Sequence, residues 1–500
     1  MLSVKSVLLE SIEPSDHDLK KKTVKNTMWS STSMAVRVFL TVISMPIIAR
    51  LLSPEDFGIA ALATLITEVI ALFGEFGLQS ALIQRKRIYR IDLETAFWSE
   101  VFLGLALAAI LLLISPFASE YFEIEELTFA LSLTAAGLVL ISMTAVHKTL
   151  LVRTLRFKEL SIVEITSSII RVSTAIILAW SGFGFWSLVV AGVTSFFVTA
   201  VLRFYFLPWI PRLRFNKHRF YRMFRFGRNI LGDNLLTYVS NNVDSLIIGK
   251  QLGSEALGYY QIALTMPDMI RKNTQQILSR VLFPAYSRVQ NDRERLHSAF
   301  LDIVGGVAFI IFPVIGGFFA IAPIFVPLYF GDQWLVVIVP AQMLCIVAAS
   351  RTIMAMCGPV IHSQGRPDVT MKLSLFRIPF LILAIMIGLS WGITGIAVSL
   401  AALSFIWVLI FLYVTSRIIG LYYGAIMARL IPPVISVITM VLVVQGIHGF
   451  VSQNEMTGLM YELFILVLSG IVFYSIFTLI FCRKTAMNTY AIFRSTLGKQ

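Results

Sequence analysis

Val101-Phe102-Leu103-Gly104-Leu105-Ala106-Leu107-Ala108-Ala109-Ile110-Leu111-Leu112-Leu113-Ile114 carries neither a charge nor a polar side chain. It lies within residues 95–115, and about 20 mostly apolar residues are what a helix needs to cross a bilayer. The same reading marks about fourteen such stretches: 27–49, 57–80, 95–115, 127–147, 161–181, 185–207, 226–249, 256–284, 299–322, 333–357, 370–390, 394–416, 425–447 and 458–481. The runs are continuous rather than alternating, which argues against a β-barrel. Of the 500 residues 57% are hydrophobic and only 14% charged, with a mean hydropathy of +0.82. Soluble chains carry about 25% charged residues, so this chain lacks the polar surface to cover a water-soluble globule. The expected fold class is all-α, a polytopic membrane protein with about 14 transmembrane helices.

Loop charges predict the topology. With the N-terminus in the cytoplasm, 32 of the 41 Lys and Arg fall in cytoplasmic segments, and Arg50 and Lys250 alone fall outside. The positive-inside rule then places both termini in the cytoplasm and explains the net charge of +13 without nucleic acid. No signal peptide is legible, since Val7-Leu8-Leu9 is too short a core. The basic, aromatic segment from Pro208 to Arg225 reads as juxtamembrane chain lying on anionic lipid.

An internal repeat divides the chain. Arg50–Gly58 aligns with Lys250–Gly258 at an offset of 200, matching Leu52/Leu252, Glu55/Glu255, Gly58/Gly258 and Ala63/Ala263. Two six-helix pseudo-repeats around a central cleft follow, plus two extra C-terminal helices, a parallel repeat of the kind transporters use. The expected organisation is 1–26 cytoplasmic segment, 27–207 first half, 208–225 basic linker, 226–416 second half, 417–481 two additional helices and 482–500 cytoplasmic tail.

Charge inside a bilayer is costly and usually faces a cavity or a partner. Asn26, Ser30, Ser33, Arg37, Thr41 and Ser44 share one helical face of the first span. Asn229, Asp233, Thr237, Ser240 and Asp244 share one of the seventh. Gln261, Thr265, Asp268, Lys272, Gln275 and Ser279 share one of the eighth, with Arg271 beside them. Glu68, Glu75, Glu164, Arg171 and Arg351 also lie within spans, and Asn241 is the repeat equivalent of Thr41. One reading is a water-filled cleft whose cations hold an anionic headgroup; the other is a set of ion pairs that hold helices together. No Walker A motif, H-E-x-x-H, G-x-S-x-G or cysteine–metal spacing is present, so neither an enzyme nor a cofactor or metal is expected.

Met45-Pro46-Ile47-Ile48-Ala49-Arg50-Leu51-Leu52-Ser53-Pro54-Glu55-Asp56-Phe57-Gly58 resembles the first external turn of Wzx-like polysaccharide exporters of the MOP superfamily. Phe76-Gly77-Leu78, Leu155-Arg156-Phe157-Lys158, Asn242-Val243-Asp244, Val281-Leu282-Phe283-Pro284 and Ser363-Gln364-Gly365-Arg366-Pro367-Asp368 fit in order, nearest to the colanic acid and succinoglycan branch. The resemblance implies a flippase moving undecaprenyl-diphosphate-linked oligosaccharide repeat units across the bacterial inner membrane by ion-coupled alternating access. It would work as a monomer beside membrane lipids, a polysaccharide polymerase and a co-polymerase. It implies Arg37, Arg271 and Lys272 as substrate-binding residues, and Glu68, Asp244 and Asp268 as ion-coupling ones; by their place within spans Arg171, Arg351 and Asn241 join the substrate-binding candidates, and Glu75 and Asp233 the ion-coupling ones. A multidrug or lipid II exporter of the same superfamily is the alternative. Mid-membrane Arg37, Arg271 and Lys272 weigh against a drug cation, which would need an acidic cavity. A lipid-linked sugar polymerase would need a large external catalytic loop, and this chain has none.

Overall fold

The structure is a computed structural model that describes residues 16–74, 78–85, 87–452 and 458–481. Side chains are described there except at 16–24, 80, 84, 226–231, 233, 277–281, 283–285, 452 and 479–481. Among the described residues the chain is helical and has no strand. By packing it divides into two compact units, Met1–Gly258 and Tyr259–Gln500.

The helices of the first unit are α1 (Asp16–Leu51), α2 (Pro54–Leu72), α3 (Leu78–Gln84), α4 (Arg90–Phe122), α5 (Glu126–Arg153), α6 (Phe157–Trp180), α7 (Trp186–Phe206) and α8 (Lys217–Gln251). α9 (Gly253–Val289) begins there and runs into the second unit. That unit continues with α10 (Arg293–Phe330), α11 (Ile338–Ser363), α12 (Pro367–Gly388), α13 (Gly392–Ile419), α14 (Tyr423–Ser452) and α15 (Leu459–Phe481). The 200-residue repeat is visible in the breaks: α1 ends at Leu51 and α8 at Gln251. Packing repeats too. α4 lies on α5, α5 on α7 and α6 on α7, as α10 lies on α11, α11 on α13 and α12 on α13. α14 packs on α10, and α15 on both.

Local chemistry sets the boundaries. Ser53 and Asp56 form a capping box at α2, Ser53 Oγ accepting from Asp56 N at 3.2 Å and Asp56 Oδ2 from Ser53 N at 3.0 Å, with Pro54 opening the helix. Asn216 caps α8 and Asp292 caps α10. Gly420, at φ +71°, ends α13 in the left-handed conformation that glycine adopts freely.

Ten stretches of the described residues are long and apolar enough to cross a membrane, and one of them, Pro367–Ile419, holds both α12 and α13. The protein is therefore a multi-pass membrane protein. α2, α8 and α9 are not among the ten; their charged and polar side chains are those that the sequence reading sends toward a cleft.

The segment between α7 and α8 is docked, not loose. Trp209 is buried, its ring edge-on to Phe97 at 5.9 Å, and its carbonyl oxygen pairs with His147 Nε2 at 3.1 Å. Trp98 Nε1 donates to the Arg212 carbonyl at 2.8 Å, and Asn216 N donates to Thr95 Oγ1 at 3.2 Å. Buried Asp92 gathers Arg85 at 2.8 Å and Arg219 at 2.7 Å. Ile210 and Leu213 point outward beside Arg212 and Arg214. The sequence reading lays the whole segment on lipid; burial of Trp209 makes it a stapled loop with an exposed apolar rim.

Candidate functional site

In the first unit the polar face of α1 meets α6. Ser33 Oγ donates to Glu164 Oε2 at 2.6 Å, and an Arg37 terminal nitrogen lies 3.5 Å from the same oxygen. Four residues separate Ser33 from Arg37, one helical turn, so both reach one acceptor. Glu164 also feels Arg203 of α7, whose guanidinium donates to Thr144 Oγ1 of α5 at 3.0 Å. Seven residues along α6, about 10 Å on the same face, stands Arg171. Its electrostatic partner is Glu68 of α2, and Glu68 in turn faces Tyr238 of α8. The Tyr238 hydroxyl donates to the Leu65 carbonyl at 2.9 Å. Three guanidinium groups thus meet two carboxylates.

These cations are loosely held. The Arg37 side chain is 41% exposed and that of Glu164 36%. Arg37 Nε and Arg203 Nε are buried without a hydrogen-bond partner. Arg171 is exposed and has Glu68 as its electrostatic partner. Guanidinium donors left over in this way suit a ligand with two or more anionic oxygens.

In the second unit the pairing is tighter. Arg271 Nε donates to Asp268 Oδ1 at 2.6 Å and its Nη1 to Gln275 Oε1 at 3.0 Å, while Lys272 Nζ lies 2.8 Å from Asp268 Oδ2. All four residues lie on α9 at helix-neighbour spacings. The Arg271 side chain is only 10% exposed, that of Lys272 71%. Arg351 of α11 is half-buried, with its Nε buried and unpartnered. Asp244 is buried and accepts from Ser245 N at 2.9 Å; Asn241 is half-buried. Glu75 and the side chain of Asp233 lie outside the described residues.

The structure thus brings Arg37, Glu68 and Arg171 into one unit with Glu164, and Asp268, Arg271 and Lys272 into one motif of the other. Sequence reasoning missed Arg203 and Tyr238. Arg203 is counted above with the cytoplasmic cations because it lies a few residues from a span end. The signal was available in the helical register, since Arg203 is still inside the apolar run that ends at Leu207.

Many long apolar helices, with charged side chains set among them, define a multi-pass membrane protein. The fold is similar to that of a solved structure of the lipid II flippase MurJ, with a TM-score of 0.70 over 92% of this chain and 99% of that one, at 15% identity. The chain belongs to the family described as polysaccharide biosynthesis protein, matched over residues 47–339. It is 26% identical over 376 residues to the lipopolysaccharide biosynthesis protein WzxC of Escherichia coli, covering 74% of this chain and 76% of WzxC. To the succinoglycan biosynthesis transport protein ExoT of Rhizobium meliloti it is 26% identical, covering 71% and 72%.

Proposed function

We propose that this protein is a flippase that carries undecaprenyl-diphosphate-linked oligosaccharide repeat units from the inner to the outer leaflet of the bacterial inner membrane, for assembly of a surface polysaccharide. The observation that carries the reading is the presence of guanidinium groups on long, mostly apolar helices: Arg37 in the first unit and Arg351 in the second, each with a buried, unpartnered Nε, and Arg171 beside Glu68. A diphosphate offers the paired anionic oxygens that guanidinium forks match. A sugar headgroup cannot cross about 30 Å of hydrocarbon unaided, whereas its isoprenoid tail can stay in the lipid. Kinship with WzxC and ExoT supports polysaccharide export over drug export. Likeness to MurJ speaks to fold and does not favour lipid II as cargo.

In this reading α2, α8 and α9 join the membrane-spanning set, both termini are cytoplasmic, and the chain acts as a monomer beside a polymerase and co-polymerase. Arg37, Arg171, Arg351 and Asn241 contact substrate. Arg271 and Lys272 present a second anionic-oxygen site tempered by Asp268. Glu68, Asp244, Asp268, Glu75 and Asp233 are the carboxylates available to couple an ion. The role is transport and not catalysis.

The test is a strain lacking the gene, assayed for surface polysaccharide and for the leaflet that holds the lipid-linked pool. Loss of polymer with intermediates on the cytoplasmic leaflet is expected. Intermediates that reach the outer leaflet unpolymerised would refute it.

A further inference from the structure

Glu164 answers two arginines without taking their hydrogen bonds. Its Oε2 accepts from the Oγ of fully buried Ser33 at 2.6 Å, yet the Arg37 terminal nitrogen stands off at 3.5 Å from that oxygen. Other arginine–carboxylate pairs of the same unit close up. Arg219 and Arg85 lie 2.7 and 2.8 Å from Asp92, and Arg156 lies 3.0 Å from Glu159. A guanidinium hydrogen-bonded to a carboxylate sits at about 2.7–2.9 Å, so Arg37 is held by charge and keeps its donors. Among the described residues the Arg37 side chain makes no hydrogen bond, and its Nε is buried. Arg203 also feels the charge of Glu164, but it donates to Thr144 Oγ1 at 3.0 Å, and its Nε is buried and unpartnered.

The surroundings offer Glu164 no second acid to share the work. Of the helices packed on α6, α1 from Lys25 to Leu51 and α7 carry no Asp or Glu. α5 carries one, Glu126, in its first turn, far from Thr144, and its His147 faces Arg203 and the Trp209 carbonyl. On α6 itself Glu159 is taken by Arg156, Lys158 stands over the Trp29 ring of α1, and Arg171 has Glu68. One carboxylate therefore serves two guanidinium groups, and a net positive charge is left over with free donors.

We propose that Glu164 is a built-in counter-ion, which balances the charge of Arg37 and Arg203 without using their donors and is displaced by the diphosphate. The inference rests on the flippase reading above and gives that reading a means of release. A site that passes cargo on must bind it firmly enough to load and weakly enough to let go. Glu164 sets that balance, because its charge repels the anion that the arginines attract.

The test is equilibrium binding of inorganic pyrophosphate to the purified full chain in lipid nanodiscs. Glu164→Gln keeps the length of the side chain and an acceptor for Ser33 and removes only the charge. Binding should tighten about ten-fold, within the range usual for coupling between two bound groups. A merely structural Glu164 gives the opposite sign, since its loss would loosen the site. Glu164→Asp keeps the charge and should bind as the wild type does. Glu159→Gln removes an equal charge from the same helix and should also change nothing. Adding Arg37→Ala to Glu164→Gln should abolish the gain. Unchanged or weaker binding by folded Glu164→Gln overturns the proposal, as does equal tightening by Glu159→Gln or no binding by any of these chains. Should Glu164→Gln fail to insert, Arg37→Ala decides: loss of pyrophosphate binding supports the site, and wild-type binding overturns it. The readout does not use export. Binding untouched by Glu164→Gln, in a chain whose gene is needed for polymer, overturns the counter-ion and leaves the flippase standing; polymer that survives loss of the gene does the reverse.

Discussion

Replacing Arg37 by alanine separates substrate contact from structure. On the structural side the loss is small. Its bridge to Glu164 spans 3.5 Å between side chains that are 41% and 36% exposed, and such pairs are worth less than about 1 kcal/mol. Glu164 keeps the 2.6 Å hydrogen bond from Ser33, so no buried charge is abandoned. On the functional side the loss is larger. A hydrogen bond between a guanidinium and a phosphate oxygen contributes about 1.5–3 kcal/mol, which is about 10- to 150-fold in binding. Arg37→Ala should therefore cut headgroup translocation by one to two orders of magnitude while thermal unfolding of the purified protein hardly moves. Arg37→Lys keeps the charge, gives up the planar fork and should recover part of the rate. The assay is the appearance of lipid-linked oligosaccharide on the outer leaflet at matched protein levels. Wild-type export by Arg37→Ala would refute the reasoning, as would a loss of export accompanied by an equal loss of folded protein.

Three further outcomes are expected. Asp268→Ala strips Arg271 and Lys272 of their shared acceptor and leaves Arg271 charged and enclosed, at a cost of about 3–5 kcal/mol; thermal unfolding in detergent should show a far larger drop than Arg37→Ala, and equal drops would contradict the pairing. Trp209→Ala empties a fully buried site against Phe97 and His147 and should cost about 3–5 kcal/mol. Trypsin should then nick between Arg212 and Arg219 much faster, and unchanged digestion would mean that the loop is not stapled there. Lys250 holds the Glu123 carboxyl below its usual range, so the bridge stabilises the folded state at neutral pH and is lost as pH falls through that lowered value. The small difference in unfolding temperature between wild type and Glu123→Gln should close on going from about pH 7 into acid below about pH 4; a gap that widens in acid would contradict this.

The sequence made the membrane legible because bilayer thickness demands apolar runs. The polar faces of α1 and α6 were legible as well, since helical spacing alone puts Ser33 with Arg37 and Glu164 with Arg171. Which faces meet was not. That Glu164 serves Ser33 and Arg37 across 131 and 127 positions depends on how α1 lies against α6, and no local pattern encodes it. The distinction between Arg37 and Arg271 was equally hidden. Both are arginines on polar stripes, yet one keeps free donors and the other is committed to Asp268 and Gln275. Trp209 misled for a related reason: its aromatic and basic neighbours read as a lipid-facing patch, and only its depth against Phe97 reveals the staple.

The corner between α1 and α2 and that between α8 and α9 meet backbone to backbone: a Cβ added at Gly58 would fall inside the Ser254 carbonyl oxygen, and one added at Gly258 inside the Pro54 carbonyl oxygen. When residue i of one repeat meets residue j of the other, and j meets i, the contact is isologous, the kind formed by a twofold dimer. Gly58 on Ser254 and Gly258 on Pro54 have that form within one chain. Elsewhere the repeat tolerates different chemistry, as at Arg37 and Thr237. The glycines have no such freedom: a side chain gained at either would be refused by the backbone of the other corner.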